Sequence, residues 1–247
     1  MTITGFTPLN TQNCTLNDSR IDLWQFSLEH ELPNAYQLLN PDERARADRF
    51  YFSRHKRRFS TARATMRIIL ARYLNTAPER LEFTYNAYGK PEVVNSQKLQ
   101  FNISHSGDIA VLAIGKTFAL GVDIENYSAR PYEGIAKNLF SQQEYQEFQK
   151  IPKALKPAVF FHIWSQKEAF IKATGLGLSY PTQEFNVPTK IPTKQIVDDP
   201  LHNTTWQLRS FIPKVACSAA LCHHPTIREI RHGMIQLHQS ANTSLRF

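Results

Sequence analysis

The 247-residue chain has no run of eighteen apolar residues and no basic segment leading into an apolar stretch, so neither a membrane-spanning helix nor an export signal is expected. Cysteine is scarce: only Cys14, Cys217 and Cys222 are present, with no CxxC pair. That count argues against a disulfide framework or a zinc site and points to a soluble protein of a reducing cytoplasm. Cys222-His223-His224 lacks further ligands at zinc spacing, so a strand end followed by surface histidines is expected there. Acidic residues are missing where basic ones gather. Between Arg44 and Arg72 ten basic residues face the single acid Asp48, so this window carries +9 and the rest of the chain −1, for a net +8. Such a segment suits an anionic partner (nucleic acid, a polyphosphate cofactor or an acidic protein), or else it is a solvated helix face. With 42% apolar residues the chain can bury one large core or two smaller ones.

The pattern along the chain mixes helix and strand signals. Ile21 to Leu28 alternates as a strand, and Asn40-Pro41-Asp42-Glu43 announces a helix with a capping box. Phe59, Ala62, Met66, Ile69 and Tyr73 follow helical spacing, which predicts that the basic segment is a helix with one buried stripe. Arg63 and Arg67 fall beside that stripe at i,i+4, where two cations repel and a bound anion would relieve them. Short strands are expected at Leu81 to Tyr85, Leu99 to Ile103, Ile109 to Ile114 and Ala119 to Glu125. Ser141-Gln142-Gln143-Glu144 opens a second helical stretch, and Val159 to Thr174 forms a third helix ended by Gly175. Strands return at Glu184 to Val187, Trp206 to Ile212 and Val215 to Leu221. Val187 to Pro200 reads as a surface connection, and the tail after His232 as weakly ordered. Placing Asn40 over Ser141, an offset of 101, superposes the two caps and sets Arg67 over Glu168. The expected fold is therefore α+β: a pseudo-twofold pair of similar subdomains, residues 1–119 and 120–247, with ligands in the seam between them.

Three segments carry residues suited to chemistry. In Gly121-Val122-Asp123-Ile124-Glu125 the strand period puts Gly121, Asp123 and Glu125 on one face. Two carboxylates so close raise each other's proton affinity, and a divalent cation with hard oxygen ligands, Mg²⁺ before zinc, would relieve them; a strand end emerging into solvent is the alternative. Trp164, Glu168 and Lys172 form a stripe at i, i+4 and i+8, in which Glu168 and Lys172 could equally be a surface pair and Trp164 a core residue. Phe101-Asn102-Ile103-Ser104-His105-Ser106-Gly107 offers hydroxyls, an imidazole and turn amides able to cradle phosphate. No triad partner accompanies Ser104 or Ser106, so nucleophilic serine catalysis is disfavoured.

Taken in order, Tyr88-Gly89-Lys90-Pro91, the Phe101 to Gly107 segment, Gly121 to Glu125 and Trp164-Ser165-Gln166-Lys167-Glu168-Ala169-Phe170-Ile171-Lys172 resemble the long, two-halved phosphopantetheinyl transferases of the type that activates surfactin synthetase. The resemblance covers about Asn40 to Leu221. It implies a pseudo-twofold fold, coenzyme A as co-substrate and Mg²⁺ as cofactor. It further implies transfer of the 4′-phosphopantetheine arm to a serine of an acyl or peptidyl carrier protein, with release of 3′,5′-adenosine bisphosphate. Asp123, Glu125 and Glu168 match the metal carboxylates, and Lys172 the lysine near the departing phosphate. Glu168 or Glu125 would take the serine proton. Lys90, Ser104 and His105 match positions around the coenzyme's phosphates and nucleotide, and Arg46 and Arg49 match basic contacts to its 3′-phosphoadenosine end. Ile124 stands where some relatives carry a polar residue, which implies a shell of three carboxylates completed by water and phosphate. A monomer is expected, since two halves would complete one seam. The competing readings are a Mg²⁺-dependent nuclease, from three carboxylates beside a basic helix, and a basic nucleic-acid-binding module.

Overall fold

The computed structural model describes residues 3–8, 14–96, 98–191 and 194–235. The capping residues act as their sequence predicts. Asn40 accepts the Glu43 N–H while the Glu43 carboxylate accepts the Asn40 N–H, opening α2 (Pro41–Asp48). Ser141 and Glu144 make the same reciprocal pair at the start of α5 (Gln142–Gln149). Gly175, at φ +79, closes the long helix α6 (Lys156–Thr174), and Asn75 takes the left-handed conformation that ends α3 (Ser53–Leu74). Two further helices are α1 (Ala35–Leu38) and α4 (Tyr132–Leu139).

The strands are β1 (Thr7–Pro8), β2 (Arg20–Ser27), β3 (Phe83–Tyr85), β4 (Pro91–Val93), β5 (Leu99–Ser106), β6 (Ile109–Lys116), β7 (Leu120–Asn126), β8 (Lys194–Asp199), β9 (Thr204–Phe211), β10 (Cys217–His223) and β11 (Glu229–Ile235). They form one sheet ordered β1-β11-β2-β6-β5, a second ordered β7-β10-β9-β8, and the β3-β4 hairpin, an α+β arrangement. The apolar stripe of α3 (Ala62, Met66, Ile69, Leu70) packs on Trp24, Phe26, Leu112 and Ile114 of the first sheet. On the second sheet, Phe160, Phe161, Phe170 and Ile171 of α6 pack on Leu208, Ala220 and Cys222. The remaining face of each sheet meets the other: Ile21, Leu23, Val111 and Ala113 share a core with Val122, Ile124, Ala219 and Leu221. Burial of alternate residues on both faces explains why β6 and β10 read as nearly continuous apolar runs.

Three expectations are corrected. Glu184 to Val187 is not a strand: Glu184 ends a 3₁₀ turn, Thr182–Glu184, and Phe185 and Val187 enter the core from irregular backbone. The Val187 to Pro200 connection contains β8, which pairs antiparallel with β9. The last strand, β11, leaves the second half altogether and lies parallel to β2 in the first sheet, so the division at residue 119 is crossed by the chain's return. The tail expected to be weakly ordered lies outside the described residues from 236 onward, and before it β11 runs to Ile235.

The Arg63 and Arg67 stripe is also corrected. Its anion is internal: Glu43 accepts from Arg63 Nε at 2.6 Å and from Arg67 Nε at 2.7 Å, and Arg67, with no exposed surface, also donates to the Pro78 and Leu81 carbonyls. The second half repeats this arrangement with a different cation. Glu144 pairs with Lys167 at 2.9 Å, and Lys167 donates to the Thr182 and Phe185 carbonyls. Arg67 lies over the Phe83 ring and Lys167 over the Phe185 ring. Lys167, and not the expected Glu168, is thus the counterpart of Arg67. Glu168 is left free of this structural pair.

Candidate active site

The two sheets meet edge to edge at β5 and β7, which share no backbone ladder. Side chains of β5 replace it. Asn102, Ser104 and Ser106, spaced by two and so on one face, reach across to β7. Asn102 accepts the Val122 N–H at 2.9 Å, Ser104 donates to Asp123 Oδ1 at 2.9 Å, and Ser106 donates to Glu125 Oε2 at 3.2 Å while accepting the Asn126 N–H at 3.0 Å. The alternation thus has a physical reason. It holds the two acids of β7 from one side.

Helix α6 holds them from the other. Gly121 makes this possible, because a Cβ there would lie 2.1 Å from the Ala169 carbonyl oxygen and 2.4 Å from the Ala173 nitrogen. With the helix seated directly on the strand, Trp164 donates its indole N–H to Glu125 Oε1 at 3.0 Å. Lys172 meets Asp123 Oδ1 at 2.5 Å and Ser104 Oγ at 3.1 Å. The surface-pair reading of Glu168 and Lys172 is therefore overturned: the lysine bonds across to the strand. Trp164 is half-buried and bonded to a site carboxylate, which its apolar neighbours had concealed.

The local charge is dominated by carboxylates. Burial, then the neighbouring Asp123, hold Glu125 above the usual carboxylate range. Glu168 is pushed up to about 7 by burial, with Asp123 and Glu125 adding to the effect and Lys172 opposing it. Burial alone would lower the Lys172 ammonium, but Asp123 and Glu168 outweigh it and hold it above its ordinary value. One atom is left over: Asp123 Oδ2 is buried with no hydrogen-bond partner. A buried carboxylate oxygen without a donor is costly and suits a cation. Oxygen-only donors, with acids that repel one another, fit Mg²⁺ chemistry. The expected three-carboxylate shell is not drawn together in advance, and among the described residues no three His, Cys, Asp or Glu side chains form a ligand set. The physical reason is the Lys172 ammonium, which supplies the counter-charge at Asp123.

The coenzyme positions divide. His105 stands on the opposite face of β5 from Ser104 and is open to solvent; surrounding protein, then Lys172, Arg58 and Arg46, hold its imidazole below the ordinary value. Arg46 and Arg49 are exposed on and just after α2, the Arg46 guanidinium lying over the Phe59 ring. Lys90 is corrected. Its ammonium donates to the carbonyls of Leu120, Lys172 and Ala173, so its three donors tie the β3-β4 hairpin to the end of α6 and none is aimed at a ligand. Sequence reasoning placed Ser106 in the phosphate-cradling segment but missed its bond to Glu125, for which the alternation from Ser104 was the available signal. It also missed Arg58, which clamps Asp108 at 2.7 and 2.9 Å, and Arg130, 3.7 Å from Glu125 Oε2, for which there was none.

Comparison with known proteins bears on this geometry. The family model described as 4′-phosphopantetheinyl transferase superfamily matches residues 119–220, and that described as 4′-phosphopantetheinyl transferase, N-terminal, matches residues 22–117. The 4′-phosphopantetheinyl transferase HetI of Nostoc sp. is 34% identical over 224 residues, covering 85% of this chain and 90% of the relative. The chain belongs to the 4′-phosphopantetheinyl transferase family. The 4′-phosphopantetheinyl transferase Sfp of Bacillus subtilis is 29% identical over 77% of this chain and 85% of its own length. The L-aminoadipate-semialdehyde dehydrogenase-phosphopantetheinyl transferase of Homo sapiens is 30% identical over 65% of this chain and 58% of its own. As a 4′-phosphopantetheinyl transferase the protein is an enzyme that moves phosphopantetheine from coenzyme A to carrier proteins. Among the described residues no helix is long and apolar enough to cross a membrane.

Proposed function

We propose that Asp123, Glu125 and Glu168 hold a Mg²⁺ ion at the β5-β7 junction and that transfer takes place there, in the seam of a pseudo-twofold fold whose halves divide near Leu120. The observation that carries this reading is the unpartnered, buried Asp123 Oδ2, set among acids whose proton affinities are raised. When bound, the ion neutralises the pyrophosphate of coenzyme A and stabilises the charge that grows on it as the bond to the departing nucleotide breaks. Ser104 and Lys172 fix the Asp123 carboxylate through its other oxygen; Trp164 and Ser106 hold Glu125 through one oxygen each. Lys172 faces the departing phosphate as a fixed cation. Glu168 has no hydrogen-bond partner among the described residues, and its carboxylate takes the proton of the attacking carrier serine. The serine oxygen bonds to the β-phosphorus as the pyrophosphate P–O bond breaks, and the group that leaves is 3′,5′-adenosine bisphosphate.

Arg46, Arg49 and His105 receive the 3′-phosphoadenosine end in this reading, where Lys172, Arg58 and Arg46 already act on the His105 ring. The nucleic-acid reading loses its main support. Five of the ten basic side chains between Arg44 and Arg72 (Lys56, Arg57, Arg58, Arg63 and Arg67) are held by carboxylates of the chain itself. We take the protein to act as a monomer in the cytoplasm. An acyl carrier protein incubated with the enzyme, coenzyme A and Mg²⁺ should gain the mass of one phosphopantetheine. Removing Mg²⁺, or introducing Asp123→Asn, should slow that gain by about a hundredfold, or about 2.7 kcal/mol at the barrier. Undiminished transfer in a chelator would overturn the metal assignment.

A further inference from the structure

The space between the two sheets opens beside β9 and β11, each next to its sheet's edge strand, on the face of the second sheet turned away from α6. There a cavity of about 380 Å³ is lined by Leu23, Lys194, Arg209, Phe211, Leu221 and His232, among others, with no acid among the described lining residues. Register puts the cations together: Arg209 stands opposite Lys194 on β8 and opposite Leu221 on β10. Leu221 and Phe211 belong to the intersheet core, so Arg209, two residues from Phe211, points to the same side.

Among the described residues no carboxylate pairs with Arg209 or Lys194. Arg209 has no hydrogen-bond or carboxylate partner among the described residues, and its Nε is buried and unpaired; so are His232 Nδ1 and His223 Nε2. His232 is packed between aromatic rings, 5.1 Å from Phe6 and 6.1 Å from Phe211. Burial holds Arg209, His232 and His223 below their ordinary values, and Arg209 acts on both histidines. Two buried cations do meet a carboxylate, Arg67 with Glu43 and Lys167 with Glu144. A guanidinium with an unpaired buried nitrogen, facing an open cavity free of acids, is an anion site by its chemistry.

We propose that this cavity binds a small oxyanion, with Arg209 and Lys194 on the charged group, His232 donating beside them, and Leu23, Phe211 and Leu221 taking a short apolar body. The ligand class is a small organic acid or phosphate ester. The site is separate from the catalytic junction, because Asp123 and Glu125 face the other side of β7. The test follows the His232 ring signals by NMR in the intact enzyme, titrated with hexanoate, inorganic phosphate and chloride at constant ionic strength. Saturable shifts with hexanoate tighter than phosphate identify an organic acid, and the reverse order an inorganic or esterified phosphate. Arg209→Gln should weaken either by at least about tenfold, near 1.4 kcal/mol, with transferase activity kept. Lys194→Ala, at an exposed position, should weaken it less and serves if Arg209→Gln does not fold. No shift at His232, chloride as effective as the oxyanions, or binding untouched by both variants would overturn the site.

Discussion

Asp123 shows how one side chain can be half structural and half functional. Its Oδ1 is held by Lys172 and Ser104 and orders the strand-helix contact, while its Oδ2 has no partner. Glu168 and Lys172, four residues apart, consequently predict different outcomes. Glu168→Gln removes a buried charge whose proton affinity is raised, so stability should hold or rise while transfer falls by about a hundredfold or more. Lys172→Ala leaves the Asp123 carboxylate without its cation and should cost about 3 kcal/mol of stability as well as turnover. Urea unfolding beside steady-state rates separates the two. Equal stability losses would mean that the two residues share one structural role.

Among the elements, the contact of α6 on β7 controls the site. Gly121 leaves no room for a side chain against the Ala169 carbonyl, so Gly121→Ala must lift the helix that carries Trp164, Glu168 and Lys172. The expected result is a loss of about 3 kcal/mol in urea unfolding and a fall in kcat even where the variant is fully folded. A variant with wild-type stability and rate would show that the helix does not rest there. Much of this was legible in sequence: the caps at Asn40 and Ser141, the shared face of Gly121, Asp123 and Glu125, and the stripe from Trp164 to Lys172 follow from local chemistry and period. What stayed hidden depended on distant partners. Strand β8 is an edge strand with mostly exposed residues, so its sequence has no clear alternation. Lys90 looks like a ligand lysine until its three carbonyl acceptors, two of them at the end of α6, are known. The caps at Asn40 and Ser141 were visible, but the cation that pairs with the second capping glutamate is Lys167, one position before the Glu168 that the offset of 101 selects.

The whole molecule is layered helix, sheet, sheet, helix, and it buries ionisable groups far from the site. His162 on α6 is 2% exposed and holds the Lys190 carbonyl at 3.0 Å; His223 on β10 is fully buried against the His224 carbonyl at 2.8 Å. Burial lowers each imidazole from 6.5 to about 4. Between those values the unfolded chain takes up protons that the folded one does not, so each histidine costs stability as pH falls through 6.5 and has taken its full toll by about 4. Glu125, Glu144 and Glu168 act with the opposite sign, since carboxylates with raised folded values lose stability as pH rises and recover it on acidification. The two sets oppose each other in the wild type, and a histidine variant separates them. His162→Gln keeps a donor for the Lys190 carbonyl without the titration. It should gain on the wild type by about 3 kcal/mol as pH drops from 6.5 to about 4, read by urea unfolding across that range. Parallel stability curves for the two proteins would mean that His162 is protonated in the folded core.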